Sequence, residues 1–284
     1  FFEQFNELWH EVPLLGLSLD PTAENSPYNN HAGNLKNCYL LFGSDFNENS
    51  AYGFYLNHAT EVLDSSLIIS CELLYNSMHS YKCSRCVGSR SQVANSLDCF
   101  FLKDSFNCQN CFASANLRNK KYYIFNKPYT REGYFEEIKK WDLGSYKTYK
   151  EIQKLAEEHW KKFPPKPNFD DFSTNSTGSH VFQSKNCKQC FEVVGVEDSK
   201  YLFLLYAPPI KDCYDVSSWG NNLALSYDSC NVGENSSGMK FCVGSGIGSY
   251  DIEYSKDSLS GSNNFGCVSM RKGDYVILNK RYEK

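Results

Sequence analysis

The chain has 284 residues and a formal net charge of −4, with 20 tyrosines, 20 phenylalanines and only 3 methionines. That length admits one large domain or two ordinary ones, and aromatic residues in place of long aliphatic ones favour strands. Thirteen cysteines make an odd count without a secretory leader, which disfavours a disulfide framework and leads us to expect reduced thiols in a cytoplasm; no apolar run approaches the roughly 18 residues that span a bilayer.

Residues 1–33 carry five acids and no lysine or arginine. Phe1, Phe5, Leu8 and Trp9 share one helical face and Pro13 stops it, so a short docking helix and a loop are expected here. Over 34–130 the apolar residues come in bursts (CYLLF, AYGFYL, SLIISC, CFFLKDSF, NCQNCF, YYIF) separated by Asn, Ser, Asp and Gly. Bursts this short suit strands stacked in a coil, with Cys and Ser inside and Asn at left-handed corners. Residues 131–167 change character: Thr130 can cap a helix bearing Tyr134, Phe135, Ile138 and Trp141, Gly144 and Ser145 break it, and Thr148 with Glu151 has the spacing of a capping box. A helical hairpin ending at Pro164 and Pro165 is the expectation, followed by a linker over 168–183 and a second set of bursts over 184–284.

The two sets of bursts are related. Residues 112–130 align on 265–283 at an offset of 153 without a gap, with Phe112/Phe265, Arg118/Arg271, Tyr122/Tyr275, Ile124/Ile277, Asn126/Asn279, Lys127/Lys280 and Tyr129/Tyr282 identical. The fold class expected is therefore mainly β, two tandem parallel β-solenoid lobes with an intervening α-helical hairpin. By analogy with the first copy, a helix is expected to begin near Arg281 and to be cut short at Lys284, as if the natural protein ran further.

Candidate chemistry is sparse. Cys83/Cys86 and Cys108/Cys111 are CxxC pairs that could hold one zinc ion through four thiolates; the competing reading makes all thirteen cysteines interior space-fillers. Asp212, Asp215, Asp228, Asp251 and Glu253 are the only clustered carboxylates, the type of group that divides acid and base work in glycoside cleavage. Residues 118–167 carry a local +6. Arg118, Lys120, Lys121 and Lys127, with Arg271 and Lys280 from the second copy, are candidate anion or nucleic-acid contacts. The alternative places Arg118 and Arg271 in a strand-and-turn that closes each lobe.

The segments FFEQFNELWHEVP, NSPYNNHAGNLKNCYLLF, NCQNCFASANLRNKKYYIFNKPYTREGYFEEI and FGCVSMRKGDYVILNKRY resemble an uncharacterised family of Asn- and Cys-rich repeat proteins from environmental bacterial genomes, over nearly the whole chain. The resemblance implies a zinc-ribbon-like region ahead of residue 1, so zinc is expected there and no cofactor within this chain. It implies no catalytic residue. The resulting expectation is a non-enzymatic binding or scaffold module with a macromolecular partner, protein or nucleic acid, and no membrane. Its alternatives are a nucleic-acid-associated protein using the basic hairpin, and a carbohydrate-active β-helix enzyme.

Overall fold

The computed structural model describes residues 1–14 and 16–284. Its repeating element is a triplet. Asn34, Asn37, Leu40, Gly43, Phe46 and Asn49 all take left-handed backbone, with φ between 51° and 59°, and the pattern recurs along both sets of strands. This conformation costs most L-residues about 1–2 kcal/mol and Asn or Asp less, so Asn collects at these positions. Each left-handed residue turns a corner. Four three-residue sides bring the chain back over itself after twelve residues, as the pairings Asn30↔Phe42, Tyr39↔Ala51 and Ala51↔Leu63 record.

One residue of each triplet points inward, and at many of these positions its N–H needs a partner in the dry interior. The previous coil supplies it. Ser44 Oγ accepts from Leu56 N at 3.0 Å and donates to Phe42 O at 3.0 Å; Ser50 does the same for Val62 N and Glu48 O. Cysteine can take the role: Cys71 Sγ accepts from Cys83 N at 3.2 Å and donates to Ile69 O at 3.3 Å. Asn29 and Asn47 also play it, accepting from Leu41 N and Ala59 N. Small polar side chains are thus inside because an unpartnered buried N–H would cost about 1–3 kcal/mol. Leu41, Leu56, Val62, Ile68 and Leu74 fill the remaining volume.

The chain divides into two compact units, residues 16–165 and residues 1–15 with 166–284. Both are parallel β-solenoids, and the fold is mainly β. In the unit of residues 16–165 the coil starts before residue 34, since Leu19 bridges Ala32 and Glu24 bridges Lys36. One turn takes thirteen residues, Ser84↔Leu97 and Arg90↔Lys103, and the rest keep twelve. An antiparallel hairpin ends the lobe, Ile124 facing Lys127. Helices α2 (Arg131–Ile138) and α3 (Tyr146–Trp160) then lie on one solenoid side, packing Tyr134, Tyr149, Ile152, Ala156 and Trp160 against Phe101, Phe112 and Ile124. Thr130 caps α2 as expected, accepting from Gly133 N. The cap of α3 is Ser145, not Thr148, because the Ser145 hydroxyl accepts from Thr148 N and the helix has already begun.

In the second unit the stretch read as a linker is coil. Asp170–Asp171 pair with Val181–Phe182, and Gly178–Phe182 with Cys190–Val194. Its steps lengthen to fourteen residues at Phe203↔Ser217 and thirteen at Tyr214↔Tyr227, then return to twelve at Glu253↔Phe265. The lobe ends on the same antiparallel hairpin, Ile277 facing Lys280, so Lys280–Arg281 are strand and no helix starts at Arg281. Helix α1 (Phe2–Glu11) docks on this lobe: Phe1 meets Phe265 at 4.5 Å and Tyr254 at 5.5 Å between ring centres, and Lys256 Nζ stands 3.9 Å from the Trp9 ring centre. Phe265 is the counterpart of Phe112, so α1 covers on one lobe the side that α2 and α3 cover on the other. Among the described residues no helix is long and apolar enough to cross a membrane.

Candidate functional site

The duplicated element has one geometry in both lobes. Arg118 Nη1 donates to Asp104 O at 2.5 Å and to Leu117 O at 2.8 Å, and its guanidinium lies 4.2 Å from the Phe106 ring centre. Arg271 Nη1 likewise donates to Asp257 O and Met270 O. Asn126 accepts from Ala115 N and donates to Ala115 O; Asn279 does the same for Val268. The element tucks each lobe's last turn onto the preceding coil. Lys120, Lys121, Lys127 and Lys280 are exposed around it.

The candidate carboxylates do not converge. Asp212, Asp215, Asp228 and Asp251 are themselves left-handed corner residues, which place their side chains outward. Asp215 and Asp228 stand one coil apart beside Tyr214↔Tyr227, whereas Glu253 is ion-paired to Lys240 at 2.7 Å. A more enclosed acid lies elsewhere in the same lobe. Glu192 is buried, accepts from Tyr206 Oη, and sits 3.1 Å from His180 Nδ1. Ser179 Oγ also approaches His180 Nδ1, at 3.3 Å. A relay of the Ser-His-acid type needs hydroxyl and carboxylate on opposite ring nitrogens. Here both reach the same nitrogen, so the imidazole cannot pass a proton between them.

The CxxC pairs lie inside the first lobe. Within each pair the two sulfurs occupy adjacent sides of one coil, and Cys99 stands between the pairs on the intervening coil, in register with Cys86. Two strand steps of about 4.8 Å separate Cys86 from Cys111, too far for four thiolates around one ion. Among the described residues no three cysteine sulfurs lie within 4.8 Å of one another.

What the sequence reading missed is an uncovered continuation of the helix-docking side. One row runs through Tyr39, Ala51, Leu63, Tyr75, Val87, Phe100, Phe112 and Ile124 in unbroken register. The hairpin covers it from Tyr75 onward. Tyr39 and Leu63 remain 42% and 44% exposed, and Tyr28, Tyr39 and Tyr52 form a chain of edge-to-face rings at 5.6 and 5.7 Å. In the second lobe the equivalent row runs through Tyr214, Tyr227, Lys240, Glu253 and Phe265, so the exposed tyrosines are separated from the residue beneath α1 by the Lys240–Glu253 ion pair. Between the hairpin and the first lobe opens a cavity of 280 Å³, lined by Tyr75, Val87, Phe100, Tyr146, Tyr149 and Ile152 among others. Burial raises the Tyr75 and Tyr149 phenols above their ordinary value.

No protein-family model and no curated protein matches the chain. Among solved structures it is similar to UDP-N-acetylglucosamine O-acyltransferase (LpxA) from Moraxella catarrhalis, at 10% identity over 86% of this chain and 71% of that one, with a TM-score of 0.12. It is also similar to the UDP-N-acetylglucosamine acyltransferase of Campylobacter jejuni, at 8% identity over 85% and 66%, TM-score 0.10, and to the polySia specific acetyltransferase NeuO, at 10% over 86% and 78%, TM-score 0.09. At these scores the likenesses carry no functional argument. The class that the coordinates define is a two-lobed parallel β-solenoid with helical covers.

Proposed function

We propose that the protein is a non-enzymatic recognition module whose solenoid sides receive a protein partner through an amphipathic, aromatic-rich helix. The observation that carries this reading is the row from Tyr39 to Ile124, of which one part already holds α2 and α3 while the rest is open. Helix α1 on the equivalent row of the second lobe supports it, since its contacts are again aromatic. Exposed aromatic residues in a flat parallel array offer large contact area at small entropic cost, the property of interface hot spots.

A photo-crosslinking amino acid placed at Tyr39 or Leu63 tests it, with Lys154 on the outer face of α3 as the control position. Partner adducts are expected at Tyr39 and Leu63 and to fall at least tenfold at Lys154. Equal yields at all three positions would refute the reading. So would release of reducing sugar from a polysaccharide by the wild type that disappears in Asp215→Asn or Asp228→Asn.

A further inference from the structure

Six of the first lobe's cysteines form one unbroken interior chain. Cys71 and Cys83 are successive in one row, with Cys83 N on Cys71 Sγ; Cys86, Cys99 and Cys111 are successive in the next. The CxxC spacings join the rows, Cys83 to Cys86 and Cys111 to Cys108, on adjacent sides of one coil, while each thiol donates to a main-chain carbonyl two residues earlier in the chain. All six are buried and free. The hydrogen-bond duty of these positions does not require sulfur, because Ser96 performs it in the same rows by accepting from Cys108 N, and oxygen is the better acceptor. In the second lobe Cys213, Cys242 and Cys267 alternate with Ser199, Ser226, Ser229 and Ser255, and Cys187 and Cys190 form the one CxxC pair.

We propose that this chain is a binding site for soft monovalent d10 metal ions such as Cu(I) or Ag(I), each held linearly between two neighbouring sulfurs. Thiolate is the ligand such ions prefer. A ladder step of about 4.7–4.9 Å exceeds the Cβ separation of about 3.5–4.5 Å that an unstrained disulfide requires. In the three gaps that are ladder steps, 71/83, 86/99 and 99/111, it matches two metal–sulfur bonds of about 2.3 Å laid end to end. The absence of any three-sulfur cluster within 4.8 Å among the described residues disfavours trigonal or tetrahedral ions and leaves pairwise coordination.

Charge balance follows from the chain. Each thiol gives its proton to solvent, each interior sulfur bridges two ions, and no electron is transferred. Six thiolates with an ion in each of the five gaps (71/83, 83/86, 86/99, 99/111 and 111/108) leave one net negative charge, far less than six bare thiolates would bring into the core.

The core is closed, so the test is to refold the full chain under reducing conditions with Ag(I), remove loosely held ion with excess glutathione, and count retained silver by native mass spectrometry. In a Cys187→Ser background, which removes the comparable pair of the second lobe, species of up to about five ions are expected to resist the wash, with a rise in melting temperature over the metal-free protein. Cys99→Ser keeps the acceptor but removes the two central gaps, and the maximum should fall to about three. Cys108→Ser removes one terminal gap and should give about four, which keeps the test decisive if Cys99→Ser does not fold. Cys213→Ser in the second lobe should change nothing. A refolded wild type that retains no silver, or a count that Cys99→Ser and Cys108→Ser leave unmoved, would overturn the proposal.

Discussion

At the residue scale the interior serines decide stability. Ser44→Ala strands Leu56 N in a dry core and should cost about 1–3 kcal/mol in chemical denaturation, whereas Ser44→Cys should cost less because Cys71 already fills that role. The buried thiols also set an alkaline limit. Burial pushes Cys213 and Cys242 up to about 11, above the value of 9.0 for a free thiol. Their neutral forms therefore stabilise the fold fully below about pH 9. That contribution is lost as pH rises towards 11, because the unfolded chain ionises first. The melting temperature should drop across that window, and the double variant Cys213→Ser/Cys242→Ser should flatten the drop; an unchanged slope would remove these thiols from the account. Most of this was legible in the sequence as a composition, small polar residues and cysteines between apolar bursts. The reason was not. Which amide each Ser or Cys serves depends on a partner twelve to fourteen residues away, and on a left-handed corner that any residue type can occupy, as Leu40, Phe46 and Tyr52 do.

At the scale of elements, the helices differ in how firmly they are held. Ile152 and Ala156 of α3 are fully buried, while α1 buries no residue completely. Hydrogen exchange should therefore open the α1 amides well before those of α3. Ser145→Ala should destabilise α3 by about 1 kcal/mol, and Thr148→Ala by less, measured by helical circular dichroism on heating. The apolar stripe of α1 and the hairpin were readable from periodicity and from Pro13, Pro164 and Pro165. The true cap of α3 was hidden because Ser145 and Thr148 are three apart and both fit a capping pattern. The lobe on which α1 docks was hidden too, since Tyr254 and Phe265 lie some 250 residues further along the chain. Residues 168–183 passed for a linker because their coil has polar corners and only scattered apolar residues to mark it.

At the scale of the whole molecule, the duplicated Arg, Asn and Tyr positions close two solenoids in the same way. Asn126→Ala and Asn279→Ala should each loosen one lobe's last coil and expose a strand edge. Concentration-dependent light scattering should detect the resulting association, and scattering unchanged in both variants would show that these ends need no such closure. The architecture was legible from the offset of 153 residues, but the candidate surface was not. A row such as Tyr39, Leu63, Val87 and Phe112 is assembled from one residue per coil, and no window along the sequence contains it.

Each coil bonds chiefly to the one before it and the one after it, as the register from Asn30↔Phe42 onward shows. A lobe pulled from its ends should therefore yield in steps and not rupture at once. Each release of twelve residues adds roughly 40 Å of contour. Force spectroscopy should record a sawtooth of that spacing, with slightly longer teeth where a coil carries thirteen or fourteen residues.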